Sequence, residues 1–188
     1  MQVDVDLPVF PLTQEPLPAC ASLGARGIRL RRATQQDLPF LRQLYGELRA
    51  EELRMTGWPA SACEAFLDSQ FALQHRHFVA HYTESDFMLV ESGDLLIGRY
   101  YLLRQSEYFA VIDIALLPSW RGRGIGSALL QWAQSLVHEN QARGIDLHVD
   151  IRNRGAHQLY ARLGFVEIEQ ELPYIRMRWK ADDQLNTA

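Results

Sequence analysis

The residues from Arg121 to Gly126 read RGRGIG, so three glycines and two arginines share six positions, and an apolar helical pattern begins at once. Glycine is a poor helix former, but it admits backbone conformations that other residues resist. A helix N-terminus carries unpaired N–H groups and about half a unit of positive charge. Glycines at that point let an anion reach the backbone without meeting a Cβ, and Arg121 and Arg123 add charge. The chemistry these residues suit is the binding of a phosphate ester. The plainer alternative is a glycine-rich strand-to-helix turn with exposed arginines. The nucleotide P-loop ending Gly-Lys-Ser/Thr is lacking. Gly122, Gly124 and Gly126 are spaced G-x-G-x-G, late in the chain, so the dinucleotide fingerprint is not matched either.

Tyr160 is a second residue to weigh, since a phenol of ordinary pKa about 10 carries its proton at neutral pH. Ala156, Leu159, Tyr160 and Leu163 form one helical stripe, and by spacing alone Tyr160 reads as a core residue. Asp113 is the one charge between Ala110 and Leu117, and a carboxylate buried in such a run needs partners. It is either a proton relay working through water or a satisfied structural aspartate. Glu51, Glu52 and Glu107 are more remote acids. His75, His77 and His81, in HRHFVAH, are read as a surface loop following a helix; no thiol or carboxylate set accompanies them, and no metal is expected. Trp58, Tyr100, Tyr101 and Tyr108 suit either an acceptor pocket or ordinary core. Cys20 and Cys63 match no metal-ligand spacing and are expected to be reduced thiols.

These residues must be positioned by elements, and the chain shows them. Residues 1–26 hold four of the eight prolines and little periodicity, which predicts an N-terminal extension, extended or partly disordered. A strand is expected at 27–33. Thr34 can cap the first helix, with Asp37 as a capping-box partner. Leu38, Leu41, Leu44, Tyr45 and Leu48 share a helical face, TGWP breaks the chain at 56–59, and a second helix is expected from about Ser61 to Gln74. Strands come next at 87–92, 94–104 and 108–117. The last is almost continuously apolar, as expected of a central strand buried on both faces. Ile125, Ala128, Leu129, Trp132, Ala133, Leu136 and Val137 keep the helical repeat without a miss. A strand at 145–151, a short helix ending at Gly164, two final strands and a polar tail at 181–188 complete the chain. The order β-α-α-β-β-β-α-β-α-β-β is that of a mixed α/β domain.

Taken together, LLPSWRGRGIGSALL and its surroundings resemble the GNAT superfamily of N-acyltransferases. That family's acyl-CoA motif is Arg or Gln, two residues, Gly, one residue, then Gly or Ala, and Arg121, Gly124 and Gly126 stand at its three positions. RLRRATQQDLPFL resembles the family's first strand and helix. HVDIRNRGAHQLYARLGF resembles its later motif, with Asn153, Tyr160 and LGF at 163–165. The resemblance covers about residues 27–180. It implies an α/β (α+β) GNAT fold: a central mixed seven-stranded sheet, about four flanking helices, and a splay between two central parallel strands. It implies acetyl-CoA as acyl donor and no metal. The pyrophosphate is expected on Arg121, Gly122, Arg123, Gly124, Ile125, Gly126 and Ser127. The pantetheine arm is expected along the strand at Ile114 and Leu116, and a backbone N–H near Leu116 would polarise the thioester carbonyl. Asn153 is expected to fix that arm by its side-chain amide, with a plain helix-start or turn residue as the alternative. Tyr160 is the expected proton donor to the leaving thiolate. Many relatives carry a strand glutamate where this chain has Ala110 or Ile112, which leaves Asp113 as the weak candidate for a base.

The bulk properties set limits. The chain has 188 residues, is 47% hydrophobic and carries a net charge of −4, which gives no general case for nucleic-acid binding. No apolar run approaches the roughly 20 residues of a membrane span, and the acidic start is unlike a signal peptide. A cytoplasmic location is expected. The expected partner is a small-molecule or peptide amine, with no nucleic acid and no membrane; a homodimer is left open. The expected activity is an N-acetyltransferase acting by direct attack of a primary amine. The alternative is a non-catalytic acyl-CoA-binding or sensor module of the same fold.

Overall fold

A computed structural model describes residues 7–12, 16–104 and 106–181. Seven strands form one sheet: β1 (Ile28–Arg32), β2 (Asp86–Ser92), β3 (Leu95–Leu103), β4 (Tyr108–Leu116), β5 (Gly144–Asp150), β6 (Val166–Glu171) and β7 (Tyr174–Lys180). Their spatial order is β1-β2-β3-β4-β5-β7-β6. All neighbours are antiparallel except β4 and β5, which run parallel at the centre. A one-turn helix α1 (Ala21–Gly24) precedes β1. Four longer helices are α2 (Leu38–Thr56), α3 (Ala60–His81), α4 (Ile125–Glu139) and α5 (Arg154–Arg162).

Two cores form, one on each face of the sheet. On one face the α4 stripe packs with Leu23, Tyr160, Phe165 and the inward residues of the strands. Ile125, Ala128, Leu129, Trp132, Ala133, Leu136 and Val137 are all buried there, as the periodicity requires. Each large apolar side chain so buried contributes roughly 1.5–3 kcal/mol relative to exposure. On the other face, Leu41 and Tyr45 of α2 and Leu67 and Phe71 of α3 pack on Phe87, Leu89 and Tyr101. Residues 7–12 run without helix or strand over this second core, where Leu7 and Phe10 are buried.

Two expectations need correction. The second helix does not stop at Gln74. It continues to His81, because Phe71, His75 and Phe78 extend its inward stripe and the histidines form its last two turns. HRHFVAH is therefore helix rather than loop. Second, β4 is central but not buried along its whole length. Ile112, Asp113 and Ile114 are only half-buried, because the sheet opens beside them.

Candidate functional site

That opening is set by strand pairing. β4 and β5 pair only from Tyr108 with Gly144 to Val111 with Leu147, although β4 continues to Leu116 and β5 to Asp150. Past Val111 the second half of β4 has a partner only in β3. The Leu117 N–H donates to the Ile97 carbonyl at 2.9 Å. Strand alternation then directs the backbone groups of Ile114 and Leu116 the other way, toward the open side. Arg121 Nε donates to the Leu116 carbonyl at 3.0 Å, which ties the turn to that edge. The close β3–β4 approach depends on Gly98, where a Cβ would stand 2.3 Å from the Ala115 carbonyl oxygen.

A bulge reshapes β4 at the same level. Tyr101 pairs with Asp113 and Leu102 with Val111, so Ile112 has no opposite residue. Ile112 joins the α2–α3 core, whereas Ile114 and Leu116 pack toward the α4 core. Asp113 faces Arg99, with Arg99 Nε donating to Asp113 Oδ2. Arg99 Nη2 donates to Gln74 Oε1 at 2.8 Å, and its guanidinium lies over the rings of Phe78 and Tyr101. Burial works against the charge of Arg99, and the Asp113 carboxylate counters it; the balance holds Arg99 more firmly charged than usual. Sequence reasoning singled out Asp113 and missed Arg99. The signal was present: one arginine inside an apolar strand, across a hairpin from one aspartate inside another.

Beyond β4 the chain makes a 3-10 turn at Pro118–Trp120 and reaches the glycines. Gly122 and Gly124 have φ of 71° and 76°, left-handed values that favour glycine, and Gly124 caps α4. Among the described residues, no protein group accepts from the backbone N–H groups of residues 122–127. Ile125, Gly126 and Ser127 supply the first helical amides. Gly126 faces Leu159, which a Cβ would meet at 3.4 Å, so its smallness serves the contact between α4 and α5. Arg123 lies over the Trp120 ring at 4.7 Å. The result is a cluster of unsatisfied donors and positive charge at the end of a half-open strand.

Tyr160 stands on α5 in the α4 core, 6% exposed. Burial pushes its phenol well above its ordinary value, and the Asp113 carboxylate adds to the effect, so the hydroxyl keeps its proton at neutral pH. Tyr100 is fully buried and is pushed up in the same way, with Tyr160 as its electrostatic neighbour. Tyr100 Oη and Trp132 Nε1, in that core, are buried without a hydrogen-bond partner among the described residues. Asn153 uses Oδ1 to cap α5, accepting from the Ala156 N–H at 3.1 Å.

The remaining candidates fall elsewhere. Glu107 precedes the paired end of β4, opposite the open end, and binds Arg143. Glu52 binds Arg49 at 2.7 Å and lies 3.9 Å from Arg152, just past the open end of β5. Glu51 is exposed. His77 and His81 stack with ring centroids 4.4 Å apart, while His75 is buried and bonded to the Pro8 carbonyl at 2.7 Å. Among the described residues no group of three or more His, Cys, Asp or Glu is placed to hold a metal ion. Tyr100 and Tyr101 are core, Trp58 is exposed, and the Tyr108 ring is met by both Arg143 and Arg178. A cavity of about 360 Å³ lies along β5, β6 and β7, lined by His148, Glu169, Tyr174 and Arg176 among others. No helix among the described residues is long and apolar enough to cross a membrane.

A half-paired central strand that ends in a glycine turn of free amides defines a class, and comparison with known proteins identifies it. The chain belongs to the acetyltransferase (GNAT) family, whose sequence model matches residues 45–165. It is 36% identical over 75 residues to an uncharacterized N-acetyltransferase of Methanocaldococcus jannaschii, a match covering 40% of this chain and 33% of that protein. The chain thus spans about a third of the length of that relative. It is 27% identical over 141 residues to the aminoalkylphosphonate N-acetyltransferase of Salmonella typhimurium, covering 72% of this chain and 83% of that protein. Its fold is similar to that of the PaiA N-acetyltransferase of Thermoplasma acidophilum, solved in complex with coenzyme A. There the TM-score is 0.64 at 17% identity, over 82% of this chain and 99% of that one.

Proposed function

We propose that the protein is an N-acetyltransferase that moves an acetyl group from acetyl-CoA to a primary amine of a small molecule or peptide by direct attack. The observation that carries this reading is the continuity of the open edge of β4 with the unpartnered amides of residues 122–127. One edge suits an extended arm that hydrogen-bonds like a strand; the other suits a diphosphate. The residues present fit acetyl-CoA: Gly122 and Gly124 leave the turn free of side chains, Arg121 and Arg123 supply charge, and Ile114 and Leu116 offer backbone groups.

Acetyl-CoA supplies an activated acetyl thioester. The amine nitrogen forms the new C–N bond, the C–S bond breaks, and the sulfur leaves as a thiolate. One proton is lost by the amine and one is gained by the thiolate, so the products are an amide and free CoA. A β4 backbone N–H at Ile114 or Leu116 holds the carbonyl oxygen as charge builds on it. Tyr160, kept protonated by burial, donates a hydrogen bond to the departing sulfur. Asp113 is tied to Arg99, which favours a positioning role over that of a free base. The amine then loses its proton through ordered water. The amide NH2 of Asn153, whose oxygen is spent on the cap, is left to hold the extended arm.

The test is release of free CoA thiol from acetyl-CoA on a panel of primary amines, with wild type and Tyr160→Phe. The expected result is amine-dependent release that falls about 10²–10⁴-fold in the variant, with cofactor affinity little changed. Saturable acetyl-CoA binding with no turnover on any amine would instead make the protein a sensor. Equal rates for both proteins, with chemistry rate-limiting, would return Tyr160 to a packing role.

A further inference from the structure

The helical turn α1 lies outside the segment that the family model matches, yet it is anchored beside the glycine turn. Leu23 is 1% exposed and belongs to the same core as Ile125 and Leu129 of α4. The chain turns immediately afterwards. The Arg26 N–H donates to the Leu23 carbonyl and the Gly27 N–H to the Gly24 carbonyl, both at 2.9 Å, with Gly27 at φ 68°. A buried anchor three residues away and two turn hydrogen bonds therefore fix where Arg26 leaves the backbone. Its Nη1 comes to 3.1 Å from the point where a Cβ on Gly124 would stand. The space that Gly124 leaves open is bordered by a guanidinium.

The charge pattern gives this contact meaning. Arg29, Arg31, Arg42, Arg99, Arg176 and Arg178 are all held by carboxylates. Arg26, Arg121 and Arg123 make no salt bridge among the described residues, and Arg26 makes no side-chain hydrogen bond there either. The Arg26 guanidinium thus borders a turn of unpartnered amides whose own arginines, Arg121 and Arg123, lie against the Leu116 carbonyl and the Trp120 ring, in a chain of net charge −4. Positive charge without a protein counterion at such a turn suits an anion.

We propose that Arg26 is a phosphate ligand of this site. Its guanidinium donates to the diphosphate of the acyl-CoA held on the turn from Gly122 to Ser127, so a segment N-terminal to the family's matched region completes the cofactor site. The proposal rests on the acyl-CoA reading above. A guanidinium fork suits two phosphate oxygens, whereas a lysine would keep the charge and lose the fork.

The test is calorimetric titration of the full chain with CoA and with 3′-dephospho-CoA, for wild type, Arg26→Ala and Arg26→Lys. Arg26 is exposed, so the melting temperature without ligand should be the same in all three. The Ala variant should bind both ligands about tenfold more weakly, as expected for one charged hydrogen bond at an exposed site, and the Lys variant should recover part of the loss. Undiminished affinity of the Ala variant for both ligands would overturn the proposal. So would a loss confined to CoA, which would place Arg26 at the 3′-phosphate, or a fall in the unliganded melting temperature that accounts for the loss. Wild type that binds neither ligand would overturn the acyl-CoA reading itself, a result distinct from the others.

Discussion

Asp113 and Arg99 face one another across the β3–β4 hairpin, and most of the polar logic of the open strand passes through them. The Arg99 side chain is 2% exposed, whereas that of Asp113 is 24% exposed at the strand opening. Removing the carboxylate strands a buried cation. Asp113→Ala should therefore destabilise the fold by about 3 kcal/mol, in the range seen when one member of a buried pair is removed. Asp113→Asn keeps an oxygen that Arg99 Nε can reach and should cost clearly less in a denaturant melt. If Asp113 positions rather than deprotonates, the Asn variant should also keep most of its turnover with an unshifted pH profile. A stable Asn variant as inactive as the Ala variant would make Asp113 the base. At this scale the sequence was partly legible. A lone aspartate in an apolar run announces a partner by its desolvation cost alone. Which arginine answers it depends on the bulge at Ile112, which moves Asp113 onto the α2–α3 side, and no local pattern encodes that bulge.

α3 shows the same limit for a whole element. Its inward positions after Gln74 are His75 and Phe78, and a histidine reads as polar in a periodicity count although here it is 4% exposed. Phe10 meets the His75 ring edge-on at 4.9 Å, and Phe71 stacks on it. Burial lowers the pKa of His75, the Pro8 carbonyl works the other way, and the charges of Arg99 and Arg76 lower it further. The folded protein therefore favours neutral His75 more than the unfolded chain does. The unfolded chain takes up the proton first, so the contribution of neutral His75 is complete above pH about 6.5 and declines as pH falls below that value. The melting temperature of wild type should drop more between pH 7 and pH 5 than that of His75→Gln. Matching profiles would show that His75 is not coupled to the fold. α4 stands at the opposite extreme: every position of its predicted stripe is buried, because its repeat is unbroken and its start is fixed by Gly124.

At the scale of the molecule, the element order, the GNAT family and the seven-stranded sheet were legible, because alternating strand and helix patterns admit few packings. The splay entered as an implication of the resemblance. It appears in the fold as pairing that stops at Val111 and Leu147 while both strands continue. Hidden from the sequence was the use of its first residues: Leu7, Phe10 and Leu23 are core, and Arg26 reaches Gly124. Those contacts join segments about 70 to 100 residues apart, beyond any local signal. On the proposed reading, one continuous slot from the open half of β4 to the glycine turn holds acyl-CoA. Hydrogen–deuterium exchange of the full chain with and without acetyl-CoA would reveal that slot. The predicted result is slowed exchange in residues 112–117 and 122–127, with β1 and β2 unchanged. Unaltered exchange in both segments at millimolar acetyl-CoA, or protection confined to the cavity along β5, β6 and β7, would contradict it.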